Sequence, residues 1–257
     1  MVESDIIKRV RFHGRGGQGM KTASRIVGTA AFMEGYYAQD FPVYGAERRG
    51  APIMAFTRMS DSPILERGII TRPDINIIAD ETLLSDNAAN VLQGTENETV
   101  TMVNTHYSPS HVKEAFDVNG EVTTVDITET VLKIINKPAL SSVAAACACK
   151  LTGMISKNTL EKAVIRELTD IHLKRESISK NVEAALICFD NTPDITTSGI
   201  KTSEGYNGNR IVKMEYANPR VGTPSVYAMG NTIDKKTGNW RLYKPVIDYE
   251  ECSMCRA

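Results

Sequence analysis

Three groups of residues have the types and spacing to do chemistry. The first is Gly14-Arg15-Gly16-Gly17-Gln18-Gly19, which satisfies GxGxxG and lies between a short β-prone run, Val10-Arg11-Phe12, and a segment of helical spacing. Backbone N–H groups converge in such a turn, and the helix N-terminus adds a partial positive charge, so an anion such as a phosphate can dock there. Lys21 stands in the first helical turn, where an acid would suit the dipole better, and so points to an anionic neighbour. Asp40 lies where a ribose-binding acid would follow a second strand, which allows an NAD site. A tight turn packing helix onto sheet accounts for the same glycines without any ligand.

The second group is the loop Phe41 to Pro52, with Glu47-Arg48-Arg49 bracketed by Gly45 and Gly50 and by Pro42 and Pro52. Two arginines beside a glutamate are costly to hold in a shaped loop unless their charges find partners. The loop is either an internal Glu–Arg pair on a solvated turn or a surface that recognises a phosphate, a carboxylate or another subunit. The third group is Cys252-x-x-Cys255. Paired thiols at that spacing suit a metal or cluster, and the absence of a nearby histidine disfavours zinc. The other three cysteines, Cys147, Cys149 and Cys188, lie in Ala-rich or apolar runs and read as small buried hydrophobes.

The elements that must position these residues alternate between strand and helix signals. Strands are expected at residues 10–12, 36–38, 53–58, 75–79, 99–104 and 122–125, and Ile75-Asn76-Ile77-Ile78-Ala79 is apolar enough to be covered on both faces. Ala23, Ile26, Val27, Ala30 and Ala31 recur at helical spacing in Met20 to Glu34. Further helices are expected from Ser141, over Lys157 to Glu167 with Ser156 as cap, and over Ile178 to Phe189. The fold class is therefore α/β: an open, mostly parallel sheet with flanking helices. Composition shifts at Asp190, and residues 190–232, rich in Thr, Ser, Asn, Gly and Pro, read as an extended strap. The expected domains are 1–190, a strap over 191–232, and a further module beginning at 233–257.

Composition narrows the functional classes. The 257 residues are 42% hydrophobic and 24% charged, which excludes collagen, coiled coil and disorder. Thirty basic residues against 31 acidic ones, with no long run of like charge, do not suit nucleic acid as a partner. The charged N-terminus MVESDIIKRVRF is no secretory leader, and no run approaches the roughly 20 apolar residues of a membrane span. A cytoplasmic protein without a membrane partner is expected, and five cysteines at these spacings describe no disulfide framework.

GRGGQG at 14–19 with Thr22-Ala23, the FPxYGxERRGAP pattern at 41–52, and Met54-Ala55-Phe56-Thr57-Arg58 together resemble the gamma subunit of pyruvate:ferredoxin and related 2-oxoacid:ferredoxin oxidoreductases. The resemblance continues through Pro73-Asp74 and Asp80 and returns around Asn181 and Ala184, covering residues 6 to about 190. The tail matches separately. Gly230-Asn231-Thr232, Thr237-Gly238-Asn239-Trp240-Arg241, Lys244-Pro245-Val246, Asp248 and Cys252-x-x-Cys255 resemble the start of the ferredoxin-type delta subunit of the same enzymes. There the segment leads into the CxxCxxCxxxCP ligands of a [4Fe–4S] cluster. A truncated gamma–delta fusion is the expectation.

The resemblance implies an accessory subunit without catalytic residues of its own. Thiamine diphosphate and Mg²⁺ would lie on the alpha and beta subunits, electrons would pass through [4Fe–4S] clusters to ferredoxin, and the complex would be a dimer of heterotrimers. In members that use coenzyme A the gamma domain helps hold it, which would employ Gly14, Arg15, Gly16, Gly17, Gln18, Gly19, Lys21, Glu47, Arg48 and Arg49. The cluster ligands would begin at Cys252 and Cys255. Pyruvate is the family's default substrate. The fused layout also resembles oxalate oxidoreductase, which needs no coenzyme A, and a free-standing NAD-binding module is a distant alternative.

Overall fold

The computed structural model describes residues 7–43 and 50–195. These lie within the compact unit Met1–Asn207. Its centre is a six-stranded sheet in the order β2-β3-β1-β4-β5-β6. The strands are β1 (Ile7–Arg15), β2 (Tyr37–Pro42), β3 (Pro52–Ser60), β4 (Ile75–Ile78), β5 (Val100–Val103) and β6 (Glu121–Thr124). All six expected strands are present. β3 is antiparallel to both its neighbours and the other pairs are parallel, so five strands run one way and β3 runs against them.

One refinement concerns the first βαβ unit. β1, α1 (Met20–Met33) and β2 do form it, but β2 does not lie beside β1, because β3 is inserted between them. The β2–β3 pair starts at Tyr37 opposite Ser60 and reaches Pro42 opposite Ala55, so β3 returns antiparallel toward β1. Its first residues therefore lie at the same sheet edge as the end of β1, with Pro52 opposite Arg15.

One face of the sheet is closed by helices. α1 buries Ala23, Ile26, Val27, Ala30 and Ala31 completely, the five positions that the spacing picks out. Each large apolar side chain removed from water here contributes about 1.5–3 kcal/mol. α4 (Ser141–Thr152) buries eleven of its twelve residues. Its run of Ser, Ala and Cys keeps it narrow enough to lie between α1 and α6 (Arg175–Asn191). α5 (Lys157–Asp170) starts at Ser156, whose hydroxyl accepts from the amide of Thr159 at 3.2 Å, as the cap signal predicts. α3 (Ile127–Ile134) completes this layer.

The opposite face carries a smaller apolar cluster of Ile78, Leu83, Val91, Val103, Val112 and Val122 beneath α2 (Pro109–Phe116). Beside it, under the irregular segments that join β3 to β4 and β4 to β5, the covered residues of β1 and β3 include Arg9, Arg11, His13 and Arg58. Arg9, Arg11 and His13 alternate along β1 with Val10 and Phe12, so they face away from α1, and all three are buried.

Candidate functional site

β1 ends at Arg15, the chain turns through Gly16 to Gly19, and α1 starts at Met20. Two glycines are required by geometry. A Cβ on Gly14 would come within 2.6 Å of the Met20 side chain, which is fully buried beneath the turn. Gly19 has φ +86°, and a Cβ there would meet the Ser141 side chain at 2.9 Å. Gly19 is the N-cap of α1 and offers no side-chain acceptor, and the first turn holds no acid. The first amides of α1 thus point out of the turn with a basic residue, Lys21, among them, an arrangement that suits an anion.

The turn is fastened on two sides. Toward β3, the amide of Gly16 donates to the carbonyl of Ala51 at 2.8 Å, and the amide of Gly50 donates to the carbonyl of Gly16 at 3.2 Å. Toward β4, the Gln18 amide group donates to Asp80 Oδ2 at 3.0 Å, while its Oε1 accepts from the Arg15 amide at 2.7 Å. Arg15 Nε lies 3.2 Å from Asp80 Oδ2, and Asp80 also accepts from the amide of Thr82, capping a single 3₁₀ turn over Glu81–Leu83.

β1 and β4 are neighbours from which the chain departs in opposite directions, to β2 on one side and β5 on the other. Their C-terminal ends flank the switch point at which open α/β sheets bind ligands. A cavity of about 510 Å³ opens beside it, past the ends of β4, β5 and β6, walled by Gln18 of the turn and by Asp80, Glu81, Asn104, Asp126 and Glu129 among others. Asn104 braces its floor. Its Nδ2 donates to the carbonyl of Ala79 at 2.8 Å and to Thr128 Oγ1 at 2.7 Å, and its Oδ1 accepts from the amide of Ile127 at 3.1 Å. Glu81 Oε2 is buried in the wall with no hydrogen-bond partner among the described residues.

The site residues expected from the sequence divide into three sets. Gly14, Gly16, Gly17, Gln18, Gly19 and Lys21 sit together in the turn and the first helical turn. Arg15 shares the turn, but its guanidinium is directed at Asp80, Thr82 and the carbonyl of Gly50. Glu47, Arg48 and Arg49 lie outside the described residues, as do Cys252 and Cys255 and all but the first residues of the 191–232 strap.

Asp40 is not brought to the glycine turn. It pairs with Thr57, which pairs with Val10, four positions before Gly14, so it lies about 13 Å down the sheet and two strands across. The inserted β3 occupies the place that the ribose-binding strand would need. Cys147, Cys149 and Cys188 are buried, and burial raises their thiol pKa values, that of Cys188 to about 11. They do not fit as thiolate ligands of a cluster, and among the described residues no group of three or more His, Cys, Asp or Glu is placed to hold a metal ion.

Asp80 and Asn104 carry the site but had no role assigned from sequence. Each is a polar residue at or just past the end of an apolar strand, and that position is the signal that could have marked them.

Residues 9–190 match the family of pyruvate ferredoxin/flavodoxin oxidoreductases. The chain belongs to this family. It is 36% identical over 181 residues to the pyruvate synthase subunit PorC of Methanocaldococcus jannaschii, covering 70% of this chain and 94% of that protein. It is 37% identical over 184 residues to the common gamma subunit of the pyruvate/ketoisovalerate oxidoreductases of Pyrococcus furiosus, covering 71% and 96%. The crystal structure of the pyruvate oxidoreductase subunit PORC of Thermotoga maritima superposes with a TM-score of 0.61 at 30% identity, covering 72% of this chain and 96% of that one. The chain is thus a gamma-type subunit of an oxidoreductase complex with an α/β fold, as the GRGGQG and ERRGAP patterns imply. Among the described residues no helix is long and apolar enough to cross a membrane.

Proposed function

We propose that this gamma subunit serves a thiamine diphosphate-dependent 2-oxoacid:ferredoxin oxidoreductase whose substrate is pyruvate or a related 2-oxoacid. Its own contribution is an anion site for coenzyme A. The observation that carries this reading is the uncapped N-terminus of α1 on a glycine turn at the sheet's switch point, with Lys21 in the first turn. In sequence, Glu47, Arg48 and Arg49 stand directly before Gly50, whose amide donates to the carbonyl of Gly16 in that turn. Thiamine diphosphate and Mg²⁺ would lie on the alpha and beta subunits. The complex would be a soluble, cytoplasmic dimer of heterotrimers that reduces ferredoxin.

Assay of the purified complex with pyruvate and with oxalate, with and without coenzyme A, tests this directly. Pyruvate oxidation that requires coenzyme A supports the reading. Oxalate oxidation without it would assign the chain to the alternative, and oxidation of no 2-oxoacid and no oxalate with any acceptor would overturn both. A charge-assisted arginine contact contributes about 1.5–3 kcal/mol, so Arg49→Ala is expected to raise the Michaelis constant for coenzyme A roughly tenfold or more. For the tail, the resemblance to delta subunits supports Cys252 and Cys255 as the first two ligands of a [4Fe–4S] cluster. Iron and acid-labile sulfide in the anaerobically purified complex, reduced in a Cys252→Ser variant, would bear that out.

A further inference from the structure

Arg15 sits inside the glycine motif, where an arginine would ordinarily be read as a ligand for the anion. Its guanidinium is committed elsewhere. Nε lies 3.2 Å from both Asp80 Oδ2 and Thr82 Oγ1, Nη2 donates to Thr82 Oγ1 at 2.6 Å, and Nη1 donates to the carbonyl of Gly50 at 3.0 Å. Three nitrogens thus hold two separate segments: the residues after β4 and the residue that leads into β3. Asp80 is the hub on the other side, taking Arg15, the side chain of Gln18 and the amide of Thr82. Gly50 is in turn bonded through its amide to Gly16.

A turn with glycines at 16, 17 and 19 loses more conformational freedom on ordering than any other composition would. Something must hold its amides in place before a ligand arrives, or ordering them would weaken binding. We infer that Arg15 and Asp80 are a positioning pair that presets the glycine turn and fixes Gly50 against it, and that neither contacts the anion. The planar fork of Arg15 suits this task, because its Nη1 and Nε edges reach Gly50 and Asp80 simultaneously, whereas a lysine can serve one of them at a time. The consequence for binding rests on the coenzyme A reading above, and the consequence for the turn does not.

The test uses the assembled complex carrying Asp80→Asn or Arg15→Lys. Hydrogen exchange at the amides of Gly16 and Gly50 should accelerate about tenfold in both, since each depends on the fastening across the turn. The Michaelis constant for coenzyme A should rise about fivefold to tenfold, while kcat at saturating coenzyme A and the constant for the 2-oxoacid stay as in the parent. Thr82→Val should show both effects, less strongly. Unchanged exchange at Gly16 and Gly50 overturns the pair. So does faster exchange with an unchanged constant for coenzyme A, provided that Arg49→Ala raises that constant. If Arg49→Ala leaves it unchanged, the coenzyme A reading is what fails, and the exchange rates alone decide for or against the pair.

Discussion

The two faces of the sheet are built on different principles. Against α1 and α4 the strands present Val10, Phe12, Ala55, Met59, Ile75 and Ile77, and the layer is held by shape. Against the irregular segments between β3 and β4 and between β4 and β5 they present Arg9, Arg11 and Arg58, and the layer is held by partners. Glu66 binds both Arg9 and Arg58, with Arg58 Nε at 3.1 Å, and Arg58 also donates to the carbonyl of Gly68 at 2.8 Å. Arg58 lies over the Phe41 ring, which stacks on Phe56 at 5.1 Å. Arg11 has no carboxylate partner among the described residues. It donates to the carbonyls of Gln93 at 2.7 Å and Val91 at 3.0 Å and to Asn76 Oδ1, and burial lowers its pKa to about 10. An irregular segment offers many backbone carbonyls and few apolar side chains, so buried donors are the complementary surface for it. A helix offers the reverse.

That contrast can be broken or sharpened by substitution. The largest effect is expected on the helical face, where Phe12→Ala should cost about 3–5 kcal/mol in denaturant unfolding, because the cavity cannot collapse between β1 and α1. Ile26→Leu in the same layer, which keeps volume, should cost less than about 1.5 kcal/mol. On the other face volume is not the criterion. Arg11→Met retains most of the side chain but strands the Gln93 carbonyl and Asn76 Oδ1, the Val91 carbonyl keeping its bond from Asn76 Nδ2, and should cost about 2–4 kcal/mol, more than Ile26→Leu. If the two swaps cost the same, the distinction between the faces is wrong.

The pH dependence sharpens it further. His13 is fully buried, and burial, followed by the nearby charge of Arg11, lowers its pKa well below the ordinary value. The folded form therefore keeps His13 neutral while the unfolded chain takes up a proton. Stability from this residue is present above about pH 6.5 and falls by about 1.4 kcal/mol per unit as pH drops below it, until the lowered pKa is reached. Glu66 adds a separate loss at lower pH. Hydrogen bonding from Arg9 holds its pKa below the usual glutamate value, so its contribution is present above that value and disappears as pH falls through the lowered one. Thermal unfolding of the parent and of His13→Gln between pH 7.5 and 5, values spanning the reference histidine pKa, should diverge, with the variant flatter. Parallel curves would show that His13 protonates without cost. The smallest effect belongs to neither face. Ser156→Ala, at the start of α5, should cost about 1 kcal/mol.

Much of the helical face is legible in sequence, and little of the other. The five α1 positions, the Ser156 cap and the six strands follow from periodicity and capping, which are local. Two helices escape the pattern because they have only eight residues each, yet both carry cap signals: Ser108 before Pro109, and Asp126 three residues before Glu129. The insertion of β3 between β2 and β1 is not local, and without it Asp40 takes on a ribose-binding role that the register denies. The glycine turn is readable as a motif. The role of Arg15 is not, because Asp80 reaches it only through the sheet order, from 65 residues away in sequence.

The alternation along β1 has a consequence for how the chain is made. β1 is an inner strand, yet both its neighbours lie later in sequence: Val10 waits for Thr57 on one side and Ile75 on the other. At ordinary rates of synthesis this leaves the segment unpaired on the ribosome for several seconds. A strand of uninterrupted Val, Ile and Phe in that state would be a template for association with other nascent chains. Lys8, Arg9, Arg11 and His13, interleaved with Ile7, Val10 and Phe12, keep the strand charged and soluble until its neighbours emerge.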